Sequence, residues 1–343
     1  MSSQINVGVI GASGYSGGEL LRILASHPHF KVSYIAAGSN AGELITSIHP
    51  HLTTYAGQKF SATSSESAAT CELLFVALPH GESAKLINQL PASVKVVDLG
   101  ADFRLKSVES WEKYYGGTHA GTWTYGIADI SQQQEKIAQS SRVANPGCYA
   151  TSIILAIAPA LPHIDARDIT VVAASGTTGA GRSAKINLIG SEVMNNLTSY
   201  KFGGVHQHTP EVEETLSGIL GSDVKISFTP ILAPMPRGIL TTVTAKLTQA
   251  ISYEQMREIF SAAYAHTPFV TLLPPGQMPK TSSLTGSNSV HLQVAIDPHT
   301  NRLIVSAAED NLGKGAAGQA VQNANIMSGF APETGLSSVG VGA

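Results

Sequence analysis

The sequence has little cysteine, little charge and no long apolar run, and each absence excludes a class of protein. Only 2 of its 343 residues are cysteine, so it carries no disulfide framework, which indicates a reducing compartment and predicts a cytoplasmic protein. Charged residues make up 13% of the chain and the net charge is −3, with no basic stripe. This excludes nucleic acid as an expected partner. No apolar run approaches the ~18 residues of a membrane span, so no membrane partner is expected either.

The length and the hydrophobic content predict a folded chain of two domains. A chain of 343 residues exceeds one typical hydrophobic core. Its 43% hydrophobic content is that of a well-packed protein and argues against disorder.

The first stretch with a recognisable pattern is a strand, a glycine-rich turn, a helix and a second strand. The apolar run Ile5–Ile10 leads into Gly11-Ala-Ser-Gly-Tyr-Ser-Gly17, and Pro28 ends the helical pattern that follows. Lys31–Ala36 predicts the second strand. Glycines at this junction let a pyrophosphate approach backbone N–H groups at a helix N-terminus. We therefore expect a Rossmann-type dinucleotide site held by Gly11, Ser13, Gly14, Tyr15, Ser16 and Gly17.

The end of the second strand carries no acidic residue. An acid there accepts the ribose 2′-hydroxyl of NAD, whereas this chain has Ser39 and Asn40, which can donate hydrogen bonds to a 2′-phosphate. The sequence therefore favours NADP.

Two further strands, predicted at Leu73–Leu78 and Val94–Leu99, end in polar residues. Pro79 and His80 follow the first of them, and Arg104 follows the second. Ligands of such sheets bind outside the carboxyl ends of the strands, so these residues are placed to meet one. Arg104 could equally form a surface ion pair.

The second half of the chain has a different pattern. Consecutive β-branched runs, with few helices between them, begin near Asp168. They predict an α+β domain with a mixed or antiparallel sheet that shapes the substrate site. A flexible loop, Ser175–Arg182, follows the first run, and a last helix is expected to extend from about Asp310 to Met327.

Cys148 lies where a Pro-Gly turn passes into the apolar run Ser152–Ala158. A helix is expected from this point, and a helix N-terminus favours a thiolate, which is the nucleophilic form of cysteine. The alternative is a small buried residue at the start of a core helix.

A second polar stretch, His206-Gln-His-Thr-Pro-Glu211, offers a base for that thiol. Thr209 is expected to cap a helix that has Pro210 in its first position, so both histidines precede the helix in extended chain. Their side chains then point the same way. A zinc site or two exposed polar histidines are the alternatives, but Cys148 has no Cys-x-x-Cys companion, so no metal is expected.

Taken together, these motifs resemble the N-acetyl-gamma-glutamyl-phosphate reductase family of arginine biosynthesis, and more distantly aspartate-semialdehyde dehydrogenase. The matching stretches follow family order over nearly the whole chain: Gly11–Gly17, Asp98–Arg104, Asn145–Tyr149, Ser175–Arg182, His206–Glu211, Pro234–Ile239 and Asp310–Ala317. Gln207 stands where the family usually has Arg, and Ala150 where it usually has Pro.

The resemblance implies a reaction. Cys148 attacks an acyl phosphate, phosphate leaves, and NADPH reduces the thioester to a semialdehyde. His206 is expected to transfer the proton, with His208 in support. The substrate-binding candidates are Arg104, Asn145, Arg182, His208 and Glu211, and the further cofactor candidates are Ser39, Pro79, Gly179 and Asn311.

The resemblance also implies an organisation. Residues 1–147 with the last helix, 311–330, are expected to bind NADP, and residues 148–310 to form the catalytic and oligomerisation domain of a homodimer or homotetramer. A sister reductase for another acyl phosphate and a non-catalytic NADP-binding sensor remain the alternatives.

Overall fold

The computed structural model describes residues 4–342, which divide into two units by their internal contacts. The first unit contains the residues up to Ala128, then Gln132–Pro146 and Ala316–Leu336. The second contains Asp129–Ser131, Gly147–Gly315 and the residues from Ser337 onward. The predicted domain division, at 147/148 and 310/311, differs from these bounds by one residue at the first junction and five at the second, and it omits the short excursion at Asp129–Ser131.

The first unit is built on a parallel sheet. Its strands are β1 Ile5–Ile10, β2 Phe30–Ala37, β3 Ser61–Ala62, β4 Leu73–Val76, β5 Lys95–Asp98, β6 Thr124–Tyr125 and β7 Arg142–Ala144. They lie in the order β3-β2-β1-β4-β5-β7-β6, and each neighbouring pair is parallel. The predicted Rossmann-type sheet is confirmed.

Helices cover both faces of this sheet. Those that precede Cys148 are α1 Tyr15–Leu24, α2 Ile45–Ile48, α3 Ser65–Ala68, α4 Ser83–Ile87, α5 Val108–Tyr114 and α6 Gln133–Ala138. Leu20, Leu21 and Leu24 of α1 belong to one hydrophobic cluster, and Leu86 and Ile87 of α4 belong to the other. Burial on two faces explains why the strands are apolar runs without alternation.

The second unit holds a mixed sheet. Its strands are β8 Ile164–Ser175, β9 Thr198–Ser199, β10 Ile226–Leu232, β11 Ile239–Leu247, β12 Val270–Leu272, β13 Val290–Asp297 and β14 Arg302–Glu309. They lie in the order β12-β13-β14-β11-β8-β10-β9. β8 pairs with β10 in parallel and with β11 in antiparallel fashion, which confirms the predicted mixed sheet.

The helices of the second unit are α7 Cys148–Ile157, α8 Gly190–Val193, α9 His208–Leu220 and α10 Tyr253–Tyr264. Helix α7 packs on β11 and β14, and all its residues from Tyr149 to Ile157 are buried. The apolar run after Cys148 thus forms a core helix that begins at the cysteine.

The last helix belongs to the first unit. A π-helical turn, Gly313–Ala317, leads into α11 Gly318–Met327, which contacts α1, α6 and β5. Ala320 and Ala324 of α11 are fully buried, which small side chains permit. Within residues 4–342, every helix is too short or too polar to cross a membrane.

Candidate active site

The glycine-rich loop of the first unit has the close packing that a dinucleotide site needs. A Cβ on Gly11, whose φ is +76°, would lie 2.2 Å from the carbonyl oxygen of Ala77. A Cβ on Gly17 would lie 2.4 Å from the carbonyl oxygen of Gly11. The loop therefore folds tightly back on α1, with Gly14 as its N-cap and Ser13, Tyr15 and Ser16 beside it. Side chains at Gly11 or Gly17 would force the loop apart.

The other cofactor candidates of this unit lie at strand ends. Ser39 follows β2 and is exposed, and Pro79 follows β4. Pro79 lines a surface cavity of about 610 Å³, together with Thr63, Ser64 and Lys85. Glu66 and Glu82 line the cavity too, and Lys85 is paired with Glu82 at 2.8 Å, so the lining suits a polar group rather than an anion.

A buried carboxyl lies at the carboxyl end of β5. Asp98 is fully buried, and its Oδ1 accepts hydrogen bonds from Ser83 Oγ at 2.9 Å and from the Gly100 N–H at 3.0 Å. Burial raises the pKa of Asp98 to about 7, although those two hydrogen bonds oppose it. Arg104 is also buried and donates to the Leu99 carbonyl oxygen at 2.7 Å, so this substrate candidate is tied to its own loop.

We expect Asp98→Asn to remove a pH dependence of stability. The folded state holds this proton up to about pH 7, whereas the unfolded state releases it near the ordinary value. Folded protein therefore binds more protons over this window, and the wild type loses stability as the pH rises through it. Between pH 4 and pH 8, the free energy of unfolding of the variant should rise relative to that of the wild type by up to about 4 kcal/mol. Denaturant unfolding at a series of pH values measures this difference.

Asp297→Asn is the control, because the stability that Asp297 contributes changes with pH in the opposite direction. Asp297 is partly exposed, and its pKa is lowered by the hydrogen bond from Thr300 Oγ1. Its contribution to stability is therefore present at neutral pH and lost as the pH falls. If Asp98→Asn and the wild type differ equally at all pH values, the pKa of Asp98 is the same in the folded and unfolded states, and burial does not raise it.

Asn145, another substrate candidate, is engaged within the first unit. It is buried, its Nδ2 donates to the Ala316 carbonyl oxygen at 3.1 Å, and its Oδ1 accepts from Asn323 Nδ2 at 3.1 Å. These bonds tie the segment just before Cys148 to the last helix.

In the second unit, Cys148 is the first residue of α7 and is half-buried. Gly147 is the N-cap, and its N–H donates to Glu211 Oε1 at 2.7 Å. Glu211 is 1% exposed. Its carboxylate thus holds the residue that precedes the cysteine, a contact within the protein where sequence reasoning expected one with the substrate.

The two histidines lie close together beside this cap. Their ring centroids are 4.9 Å apart, and His206 Nδ1 accepts the N–H of His208 at 3.1 Å. A Cβ on Gly147 would lie only 2.4 Å from His208 Nε2. The His208 ring therefore lies directly against the residue before the thiol.

The environment of His206 is different. It is 3% exposed and makes edge contacts with the rings of Tyr149, Tyr200 and Phe228. Burial, with a smaller effect of His208, lowers the pKa of His206 to about 2. The ring is therefore neutral at physiological pH.

The prediction that both histidines precede the helix is wrong. Helix α9 begins at His208, and Gln207 is its N-cap with helical φ and ψ. The reason is that the His206 ring accepts the first free N–H of the helix, the role that sequence reasoning gave to Thr209. Thr209 and Pro210 consequently lie inside the first turn.

The loop after β8 brings two cofactor candidates together. Asn311 Nδ2 donates to Thr178 Oγ1 at 3.0 Å, and its Oδ1 accepts the Gly238 N–H at 2.7 Å. A Cβ on Gly179 would lie 3.7 Å from Asn311 Nδ2. Asn311 thus shapes the loop that carries Gly179. Arg182 lies exposed further along it.

Two buried contacts of the second unit were missed by sequence reasoning. The hydroxyls of Tyr149 and Tyr200 are hydrogen-bonded at 3.1 Å, and burial raises the pKa of Tyr200 to about 12. Lys314 and Asp129 form a fully buried ion pair. No local pattern indicates either contact, because the partners are far apart in sequence. Among residues 4–342, no three His, Cys, Asp or Glu side chains are grouped to hold a metal ion.

Comparison with known families agrees with this geometry. Residues 6–140 match the family described as "Semialdehyde dehydrogenase, NAD binding domain", and residues 148–311 match "Semialdehyde dehydrogenase, dimerisation domain". The N-acetyl-gamma-glutamyl-phosphate reductase of Acidothermus cellulolyticus is 54% identical over 337 residues, which are 98% of both chains. The chain belongs to the N-acetyl-gamma-glutamyl-phosphate reductase family. As a member of that family it is an enzyme, an oxidoreductase of the acyl-phosphate reductase type.

Solved structures show the same fold at low identity. A probable aspartate-semialdehyde dehydrogenase from Pseudomonas aeruginosa superposes with a TM-score of 0.72 at 17% identity, over 95% of this chain and 99% of that one. The aspartate semialdehyde dehydrogenase of Candida albicans, solved with NADP, has a TM-score of 0.62 at 15% identity, over 95% and 99%. The N-acetyl-gamma-glutamyl-phosphate reductase family thus shares a two-domain fold with these dehydrogenases.

Proposed function

We propose that the enzyme converts N-acetyl-L-glutamyl 5-phosphate to N-acetyl-L-glutamate 5-semialdehyde, with NADPH as reductant and through a thioester on Cys148, as a step of arginine biosynthesis. The names of its relatives supply the substrate. The observation that carries the mechanism is the position of Cys148 at the first residue of α7, next to a glycine held by Glu211 and covered by His208.

Residues around Cys148 account for the attack on the acyl phosphate and for the release of the semialdehyde. The N–H groups of the first turn of α7 favour the thiolate and the negative charge that develops on the attacked carbonyl. The thiolate of Cys148 displaces phosphate and forms the thioester. When the semialdehyde leaves, the thiolate is regenerated. Glu211 fixes the backbone at Gly147, so the thiol is held in a constant position.

The first unit fits a dinucleotide, because its loop at Gly11–Gly17 is closed so tightly that only glycine is accommodated at two positions. Gly14 and Tyr15 at the start of α1 would hold the pyrophosphate. When bound, NADPH supplies the hydride that reduces the thioester. The choice of NADP over NAD rests on Ser39 and Asn40, since the segment 38–42 directly after β2 has no carboxylate to repel a 2′-phosphate. The NADP complex of a structural neighbour supports it too.

The decisive experiment measures the reverse reaction. Phosphate-dependent reduction of NADP should be seen with N-acetylglutamate semialdehyde and should be much slower with aspartate semialdehyde or with NAD. Preference for aspartate semialdehyde would favour a sister reductase. Cofactor binding without any turnover would favour a sensor.

We also propose that the enzyme is a homodimer or homotetramer in the cytoplasm. The match of residues 148–311 to a dimerisation domain supports the oligomer. Cys71 and Cys148 form no disulfide, which supports a reducing compartment. Light scattering of the purified chain measures the first point.

Proton transfer can be divided between the two histidines by their contacts, and these favour His208 over His206. We expect His208→Asn to lower the maximal rate by ~10²–10⁴-fold and to slow alkylation of Cys148 near neutral pH, because its ring lies against Gly147. His206→Asn should act less on the thiol, since a ring with a pKa of about 2 is a poor proton acceptor.

The pH profile of Cys148 alkylation in both variants measures this division. A larger effect of His206→Asn would return proton transfer to His206, as the sequence-based assignment has it. If neither variant moves the profile, the helix terminus alone sets the thiolate.

A further inference from the structure

Glu309, the last residue of β14, is an acidic residue on the face of that strand that is otherwise apolar and buried. Inward-facing residues of this strand alternate as Leu303, Val305, Ala307 and Glu309, and each of them is fully buried. Helix α7 packs on β14. Glu309 thus occupies the core position of the row that comes last in the strand, beneath the helix that begins at Cys148.

The Glu309 carboxyl and Cys148 converge on Gly315. A Cβ on Gly315 would lie 2.7 Å from the Cβ of Cys148 and 3.0 Å from Glu309 Oε1. Only the absence of a side chain at residue 315 leaves this space open. The carboxyl and the carbon that bears the thiol sulfur therefore both border the space that Gly315 leaves open.

Neither oxygen of the Glu309 side chain has a hydrogen-bond partner among residues 4–342. A buried polar group of this kind is costly unless it meets a partner in a functional state. The charged groups nearby are already paired: Lys314 with Asp129, and Asp310 with Arg237 at 2.7 Å. Those pairs leave the carboxyl without a cation of its own.

A neutral carboxyl is the form that this environment favours. Burial raises the pKa of Glu309 well above its ordinary value, against the effect of Lys314 and together with Asp310 and Asp129. A protonated carboxyl has one O–H donor to offer. An ionised one would place a second negative charge beside the thiolate.

The Cys148 sulfur is not a partner of this carboxyl in the structure either. We propose that Glu309, as a neutral carboxylic acid, is a positioning residue: once the thiolate forms, Glu309 donates a hydrogen bond to it and holds it at the start of α7. The inference rests on the proposed function only in taking Cys148 as the nucleophile. The other titratable groups around the thiol are Tyr149, Tyr200, His206, His208 and Glu211.

The test compares Glu309→Gln with Glu309→Met in the full chain, on a Cys71→Ser background that leaves one thiol. The readout is the rate of Cys148 alkylation by iodoacetamide as a function of pH. Glu309→Gln keeps a donor and should leave the apparent pKa of the thiol within a few tenths of a unit. Glu309→Met removes the donor and should raise it by about 1–2 units, the shift that corresponds to a charge-assisted hydrogen bond.

Thr241→Val is the structural control. Thr241 is fully buried, and its Oγ1 is hydrogen-bonded to Ser152 Oγ of α7 at 2.7 Å. Ser152 lies one turn of the helix after Cys148, so this contact is separate from the thiol. This variant removes a buried polar contact of the same helix and should leave the thiol profile unchanged. A profile that moves as far in Thr241→Val as in Glu309→Met would overturn the proposal.

Two other results would overturn it. If the apparent pKa of the Cys148 thiol falls in both Glu309 variants, the Glu309 carboxyl is ionised in the unmodified enzyme. If the alkylation profiles of both variants superimpose on that of the unmodified enzyme, Glu309 does not contact the thiolate. Should Glu309→Met fail to fold, infrared spectroscopy replaces it. The carbonyl band of the protonated Glu309 carboxyl is identified as the band that Glu309→Gln abolishes. It should shift when Cys148 of the unmodified enzyme is alkylated, and a band that does not shift refutes the contact. Alkylation without loss of turnover contradicts the proposed function instead, so the two failures are distinguishable.

Discussion

Cys148→Ser should bind the dinucleotide as the unmodified enzyme does and lose turnover by at least ~10³-fold. Cys148 lies in the second unit, whereas the glycine-rich loop lies in the first, so removing the sulfur leaves the loop intact. A serine hydroxyl at the same helix terminus is a far weaker nucleophile than a thiolate at neutral pH. Dinucleotide binding, followed by fluorescence titration, and phosphate-dependent reduction are the two measurements.

Cys71→Ser is the matched control for that substitution. Cys71 is 3% exposed, and burial raises the pKa of its thiol. It should therefore react slowly with iodoacetamide, and its replacement should leave the rate nearly unchanged. Iodoacetamide should label Cys148 first and abolish activity in proportion. A Cys148-labelled enzyme that keeps its full rate would rule out the covalent mechanism.

The first strands and the first helix of the first unit could be predicted in detail because their signals are local, whereas the sequence predicts no strand at β3, β6 or β7. The run Ile5–Ile10 is observed as β1 with the same bounds, and the helix after the glycine-rich turn ends before Pro28. Strand, turn and helix each depend here on residues only a few positions apart. The later strands are shorter than predicted: β4 ends at Val76, and β5 ends at Asp98.

The second unit could be predicted only as a class of sheet. Its strand order brings β11 between β14 and β8, and nothing in a β-branched run specifies its neighbours. The prediction of where α9 begins was wrong for a similar reason. Preferences for capping residues are weak, and the ring of His206 replaced the expected cap.

The candidate site shows the same limit. Cysteine, histidines and glutamate could be found as polar residues at turns, but their partners could not be assigned. The contact of Glu211 with Gly147 spans 64 positions. The position of Glu309 beneath Cys148 depends on Gly315, which in the sequence looks no different from Gly313 two residues before it.

Gly147→Ala should be nearly as damaging as loss of a catalytic histidine. Its φ of −70° and ψ of 149° are accessible to alanine, so the backbone itself does not require glycine. The obstacle is the 2.4 Å between the new Cβ and His208 Nε2. Either the ring turns away from the thiol, or Gly147 shifts and loses its bond to Glu211. We expect a fall in the maximal rate of ~10²-fold or more, with cofactor binding unchanged.

Gly218→Ala is the control for this substitution, because Gly218 is an exposed residue of α9 where an added methyl group would meet no atom within 4 Å. It should leave the rate unchanged and stabilise the helix by up to ~1 kcal/mol. A double-mutant cycle then identifies the cause. If Gly147→Ala acts by displacing the imidazole, its effect and that of His208→Asn should be far from additive, since the second substitution removes the ring that the first one displaces. Fully additive losses would show that the methyl group acts on the backbone and the Glu211 contact instead, and a Gly147→Ala enzyme with unchanged rate would show that the ring next to Cys148 is not needed for turnover.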